Sequence, residues 1–431
     1  MNHIPANSLS RRAFLESTSA AAVGAVLVGT FPAVVKGADD RVLKIGLVGC
    51  GGRGTGAANQ ALAADPGTEL TAVADVFPEQ IEKSLEQLRA NHGGRVKVGE
   101  GGKFVGLAAI DALLATDIDV VLLTTPPGFR PEHFAKAVKA GKHTFCEKPV
   151  AVDAPGVRGF LAAAAEAKAH DLKVQSGFCW RSHFAERESY RRVHDGMIGD
   201  VHAAYGTYLG NTPWSKARQE GWTDLEYQLR NWMYFCWLSG DHLVEQAVHT
   251  VDKMCWAFRD VLPLSATGQG GRQQRVEPEF GHIYDHFSIA YEYPAGARGF
   301  IACRQQQGCA GDVSDHVIGS KGTLRQTSGK LNLITAGADT WKYDGPKNDM
   351  YQTEHDEFFA SIRSGAAMNT GEKLAHSTLA AIMGRMSAYT GQTITWEQAL
   401  NSQEVLAPPN LDMQKKLETP PVPIPGRTKF I

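Results

Sequence analysis

The chain has no CxxC pair, no basic stripe, no internal repeat and no apolar run suited to crossing a membrane. The first absence argues against a zinc ribbon. Its cysteines, at 50, 146, 179, 236, 255, 303 and 309, are odd in number and lack a ladder of close spacings, so they do not form a disulfide framework. Cys50 and Cys146 read as small buried fillers. A formal net charge of −2 without clustered cations argues against a nucleic-acid partner. What is present is ordinary globular material: 431 residues at 43% hydrophobic content suit two domains with full-sized cores.

Against that background one segment is highly informative. Ile45-Gly46-Leu47-Val48-Gly49-Cys50-Gly51-Gly52-Arg53-Gly54 reads as a buried strand, a glycine-rich turn and a helix start. Gly49 permits the tight turn, Gly51 lets backbone N–H groups approach a pyrophosphate, and Gly54 lets the helix pack on the strand. Gly52 and Arg53 lie at the helix N-terminus, where unpaired N–H groups favour an anion. Asp75 closes a second strand at the spacing expected for a carboxylate that bonds a ribose 2′-hydroxyl. This is a dinucleotide site, and the acid favours NAD over NADP, although nearby arginines leave NADP possible.

Residues 1–38 read as a signal region. Ser10-Arg11-Arg12-Ala13-Phe14-Leu15 precedes an alanine-rich apolar stretch over 20–35 that is broken by Gly24, Gly29 and Pro32. A twin arginine ahead of such a segment indicates Tat export, hence a periplasmic protein, anchored if the signal stays uncleaved. The Tat machinery carries folded proteins, so a nucleotide inserted in the cytoplasm can travel with the chain.

Residues 39–170 alternate strand and helix. Strands are expected over 42–48, 69–74, 120–124 and 143–145, with helices over 54–64, 78–91 and 131–140, the pattern of a doubly wound parallel sheet. Thr124-Thr125-Pro126-Pro127 stops the strand before it, leaving Thr125 and Pro126 at a carboxyl end where ligands bind. From 171 to 404 the pattern becomes strand-rich, with strands over 201–209, 286–293, 297–304, 317–324 and 331–334 and helices over 354–363 and 373–389. This half reads as a separate α+β domain with an antiparallel sheet, and residues 405–431 as a proline-rich extended arm. Thus the fold class is an α/β Rossmann domain followed by an α+β domain.

Two further motifs carry chemistry. Cys146-Glu147-Lys148-Pro149 follows a strand, so Lys148 projects towards a nicotinamide ring, with Glu147 beside it. In 240–252, read as one helix, Asp241, Glu245, His249 and Asp252 share a face. Such a polar stripe is costly to bury without partners. The same helix offers a competing metal set, Asp241, His242, Glu245 and His249, at i, i+4 spacing, with His282, Asp285 and His286 able to approach. The acid–base reading uses the same residues without a second cation and is preferred.

With these motifs the chain resembles the glucose–fructose oxidoreductase, inositol dehydrogenase and rhizopine-catabolism (Gfo/Idh/MocA) family over residues 42–400. The resemblance implies a Rossmann domain joined to a C-terminal domain with a large open sheet, activity on sugars or polyols, and a homo-oligomer formed through that sheet. It implies that Lys148 positions or polarises the reacting hydroxyl and that His249 takes its proton. Glu245 stands where many members have Asp, as a helper. His133 matches a common family histidine. Imidazole suits its role because its ordinary pKa of about 6.5 lets it exchange a proton near neutrality.

Six of the eight tryptophans lie between 180 and 256, and Trp214 is a candidate to line a sugar pocket. Arg181, with Arg272 and Arg275, Asp252 and His286 are further candidates for substrate contact, with salt bridging at the domain interface the equal alternative for the three arginines. The expectation is an exported oxidoreductase acting on a sugar, sugar derivative or polyol with a retained cofactor. The alternatives are an NAD-dependent glycosidase or lyase using transient hydride transfer, or a metal-dependent carbohydrate enzyme.

Overall fold

The computed structural model describes residues 41–328, 330–414 and 416–431, so the twin-arginine segment lies outside the described residues. The first sheet is built from β1 (Leu43–Val48), β2 (Thr68–Asp75), β3 (Lys103–Val105), β4 (Val120–Leu123), β5 (His143–Cys146) and β6 (Val174–Ser176). Their order is β3-β2-β1-β4-β5-β6, and every neighbouring pair is parallel. Helices α1 (Gly52–Ala64), α2 (Pro78–His92), α3 (Ala109–Leu114), α4 (Arg130–Lys139) and α5 (Ala154–Ala169) are the crossovers. All four residues of β4 are buried, as a strand covered on both faces requires. The order reverses between β1 and β4, and their carboxyl ends therefore open the crevice where a dinucleotide binds in such sheets.

After α6 (Phe184–His194), the chain enters the nine-stranded second sheet with β7 (Val201–Gly210). Helix α7 (Asp224–Arg230) and the short α8 (Cys236–Ser239), α9 (His242–Glu245) and α10 (Val248–Ala257) follow. The remaining strands are β8 (Ser265–Gly271), β9 (His286–Glu292), β10 (Arg298–Gln305), β11 (Asp312–Gly319), β12 (Gly322–Thr327), β13 (Leu331–Ala336), β14 (Asp339–Lys342) and β15 (Ile394–Thr395). The sheet is antiparallel except where β7 lies parallel to β10. Helices α11 (Met350–Ser364), α12 (Gly371–Thr390) and α13 (Trp396–Asn401) complete the described elements.

Two expectations are corrected here. The strand expected over 317–324 is a hairpin, β11 and β12, with Ile318 opposite Thr323. Periodicity ran across the Ser320-Lys321 turn because glycines flank it. Gly319 and Gly322 are fixed by contact: a Cβ on either would lie 2.2 or 2.3 Å from a carbonyl oxygen, of Ile198 or Thr335. The helix expected over 240–252 is α9 followed by α10. Gly240 and Asp241 both have positive φ, +77° and +72°, which ends α8 and starts a new helix capped by the Asp241 side chain.

Helix α12 ties the two sheets together. Every residue from Ser377 to Thr390 is buried, as expected of a helix enclosed on all sides. Its Thr378 Oγ1 accepts from Val150 N at 3.3 Å, and its Arg385 donates to Val152 O at 2.6 Å and to Glu404 at 2.8 Å. The segment from 402 onward contains no helix or strand among its described residues and lies against both halves: Leu406 N donates to Asp153 Oδ2, Gly426 N to Thr390 O, and Tyr284 OH to Pro423 O.

Candidate active site

A cleft of about 670 Å³ runs from the carboxyl ends of β1, β2 and β4 to the first turn of α10. At its centre is the N-terminus of α1. Gly51 occupies the cap position without a side-chain hydrogen bond, and the first turn holds no acidic residue. An added Cβ on Gly51 or Gly52 would meet no protein atom within 4 Å, whereas on Gly54 it would lie 1.8 Å from Gly49 O. Gly49 has φ +96° and packs against Thr124 and Thr125, and Thr124 Oγ1 donates to Gly49 O at 2.7 Å. Free N–H groups with open space above them fit a pyrophosphate.

Asp75 ends β2 in the same cleft. Its Oδ2 accepts from Cys50 N at 2.6 Å and its Oδ1 from Phe77 N at 2.9 Å, which fixes the carboxylate beside the glycine turn. Burial raises its pKa, and the two N–H donors oppose that rise. Thr125 and Pro126 line the opposite wall, with Thr125 Oγ1 3.3 Å from His133 Nδ1. Burial pushes His133 down to about 4, so it is a neutral wall residue stacked on Phe129. Arg53 and Glu147 engage one another: Nε lies 3.0 Å from Oε1, and the guanidinium sits 5.0 Å from the Tyr351 ring centroid.

The far end of the cleft brings Lys148, Glu245 and His249 together. Lys148 Nζ donates to Glu245 O at 2.7 Å and lies 3.5 Å from Glu245 Oε1. The break between α9 and α10 turns Glu245 and His249 into one wall, with Gln246 between them. His249 stands edge-on to Phe178 at 6.0 Å, and its Nδ1 is buried without a partner. Burial, aided by the cations Lys148 and Lys253, holds its pKa well below the ordinary value. It is therefore a neutral imidazole at neutral pH, able to accept a proton.

The other expected residues go elsewhere. Asp241 is fully buried, accepting from His242 N and Tyr284 N and, through Oδ2, from Tyr389 OH at 2.6 Å. His242 Nδ1 faces Asp241 Oδ1 at 2.9 Å, so the proposed metal ligands do not converge. Among the described residues, no three His, Cys, Asp or Glu side chains group as a metal ion needs. Arg181 and Asp252 do not reach the cleft because they bind each other: Nε–Oδ2 is 2.8 Å, Arg181 also grips Asp260 at 2.6 Å, and Ser377 donates to Asp252. His286 is paired with Asp285 at 2.8 Å, away from the cleft, and Arg275 is buried on Gln305. Arg272 spans carbonyls of Gly281 and Glu277. Trp214 does line the cleft.

Sequence reasoning missed Tyr208, Gln246, Tyr351 and Arg230, which line the cleft from β7, the α9–α10 bend, α11 and α7. Gln246 accepts from Gln305 at 2.8 Å. No local signal marks any of them, since only the tertiary fold turns these faces toward the glycine loop.

A family model described as "Oxidoreductase family, NAD-binding Rossmann fold" matches residues 43–178, and the model of the GFO/IDH/MocA C-terminal domain matches residues 187–325. The chain is 27% identical over 342 residues to inositol 2-dehydrogenase of Rhizobium meliloti (strain 1021), covering 78% of this chain and 91% of that protein. It is 25% identical over 334 residues to inositol 2-dehydrogenase 3 of Saccharopolyspora erythraea, covering 75% and 86%. The crystal structure of aldose-aldose oxidoreductase from Caulobacter crescentus, complexed with glycerol, superimposes with a TM-score of 0.65 at 19% identity, covering 82% of this chain and 100% of that one.

Proposed function

The chain belongs to the GFO/IDH/MocA oxidoreductase family, and from that premise we propose an NAD-dependent oxidoreductase for a sugar or polyol, exported with its nucleotide and keeping it through turnover. The single observation that carries the reading is the meeting of Lys148, Glu245 and His249 in the cleft that the α1 N-terminus opens.

When bound, the nicotinamide supplies hydride acceptance and return. The chain's residues do the remainder. His249 accepts the proton of the reacting hydroxyl, because burial keeps the ring neutral. Lys148, held by the Glu245 carbonyl, donates to the same oxygen and stabilises its developing charge. Glu245 anchors that ammonium. Asp75 accepts from a ribose hydroxyl and disfavours a 2′-phosphate, supporting NAD as the preferred cofactor. Tyr208, Trp214 and Gln246 present an aromatic and amide wall suited to hydroxyl-rich ligands.

Retention follows from export. Outside the cytoplasm a released NADH meets no recycling pool, so the bound cofactor must be returned to its starting state by a second transfer. The pattern at Ser10 to Leu15 supports that location. The exposed sheet face carrying Tyr205, Phe300 and Ile318 supports assembly with a second copy. Replacing His249 by Ala tests the assignment. Turnover should fall about a hundred- to ten-thousand-fold with nucleotide binding unchanged; activity within twofold of the wild type removes His249 from the chemistry.

A further inference from the structure

The glycine turn, the α1 N-terminus and Asp75 all belong to the first half of the chain, and such a half holds a dinucleotide without help. Here the second half also reaches the adenosine end. Lys216, Leu229, Arg230, Trp232 and Met233 line the same cleft as Asp75 and Phe77. Arg230 makes the connection. Its guanidinium lies 3.9 Å over the Phe77 ring centroid and 5.0 Å from that of Trp222. Its Nη1 donates to Glu79 at 2.7 Å, in the first turn of α2, and its Nε to Glu226 at 2.9 Å.

Phe77 supplies one of the two N–H groups that fix Asp75, so the grip of Arg230 on this ring bears on the ribose-binding carboxylate. Helix α7 is itself held from behind. Leu417 N donates to Asp224 at 3.0 Å, Gln228 Nε2 donates to Leu417 O at 3.2 Å, and Trp237 donates to Gln228 at 2.7 Å. Arg230 is charge-matched by two carboxylates, which makes it a clasp rather than a receptor for a phosphate.

We propose that Arg230 is a cofactor-positioning residue whose bridge to Phe77 and Glu79 closes the adenosine end of the cleft and slows nucleotide release. The inference rests on the reading of the cleft as a nucleotide site and adds the means of retention. A half-exposed ion pair contributes little alone, so the aromatic contact carries much of the effect.

The test is the NADH dissociation rate of the reconstituted full chain, measured by stopped-flow fluorescence with excess NAD as chase. Arg230→Ala should raise the rate about tenfold and Glu79→Gln about threefold, with the double variant no faster than Arg230→Ala. Glu79 is on the surface, so its variant folds whatever becomes of Arg230→Ala. A purely structural role for Arg230 would lower Tm in Arg230→Ala and leave Glu79→Gln unmoved. Rates within twofold of the wild type in both variants overturn the clasp alone. A wild-type protein that binds neither NADH nor NADPH overturns the nucleotide reading, and the clasp with it.

Discussion

The chemistry proposed for His249 rests on position: a ring with one nitrogen sealed from water, near the Lys148 ammonium, in the cleft that also holds the glycine loop. The depressed pKa has two consequences. Activity at neutral pH proceeds from the neutral ring, so the acid limb of kcat/KM falls below pH 6.5, and a limb above pH 7 would contradict the assignment. Stability follows the same sign. His133 and His282 are pushed down to about 4, so between pH 6.5 and 4 the unfolded chain binds more protons than the folded one. Tm should therefore drop as pH falls through that window, and a flat profile there would be contrary evidence. At Asp75, replacement by Ser should narrow the preference for NAD over NADP by about tenfold as measured by Kd, since it removes a like-charge contact with the 2′-phosphate. A wild type that already holds NADP more tightly refutes this role. Asp75 was legible because its spacing from the glycines is local. The Arg181–Asp252 pair, 71 positions apart, was not: two residues that each suited a substrate neutralise one another only once the chain is folded.

At the level of elements, the strand–turn–helix unit of β1 and α1 separates folding from binding. Gly54→Ala places a methyl against Gly49 O and should cost about 1–3 kcal/mol of stability. Gly51→Ala meets no protein atom and should leave Tm unchanged while weakening NAD binding at least about tenfold, through loss of the space above the N–H groups. Thermal melts and nucleotide titrations of the two variants check this, and a Gly51→Ala protein with normal affinity would show that no pyrophosphate sits there. This unit and the hairpin of β9 and β10 could be read from periodicity and glycine placement, because both depend on neighbouring residues. The α9–α10 break could not. A helical wheel drawn through Gly240 aligns Asp241 with Glu245, yet the positive φ of two consecutive residues turns Asp241 into the interior. The meeting of Lys148 with Glu245, 97 positions apart, came from family likeness, and no spacing rule would have supplied it.

Taken as a whole molecule, the protein joins a nucleotide-binding sheet to a second sheet through the buried α12, and the cleft draws its walls from both. The proposed retention of the nucleotide in this cleft calls for a cycle in which hydride taken from one hydroxyl-rich substrate is returned before the cofactor leaves. Return to a second sugar makes an oxidoreductase. Return to the same substrate after cleavage of a glycosidic bond makes a glycosidase. The direct measurement is to load the full chain with NAD, remove the excess, and mix it with a panel of aldoses and cyclitols while following NADH. The account predicts up to one NADH per site, retained on the protein, reoxidised by a second sugar, and not formed by the His249→Ala variant. Escape of that NADH from the protein into solution, or no reduction of bound NAD by any sugar or polyol, would contradict it.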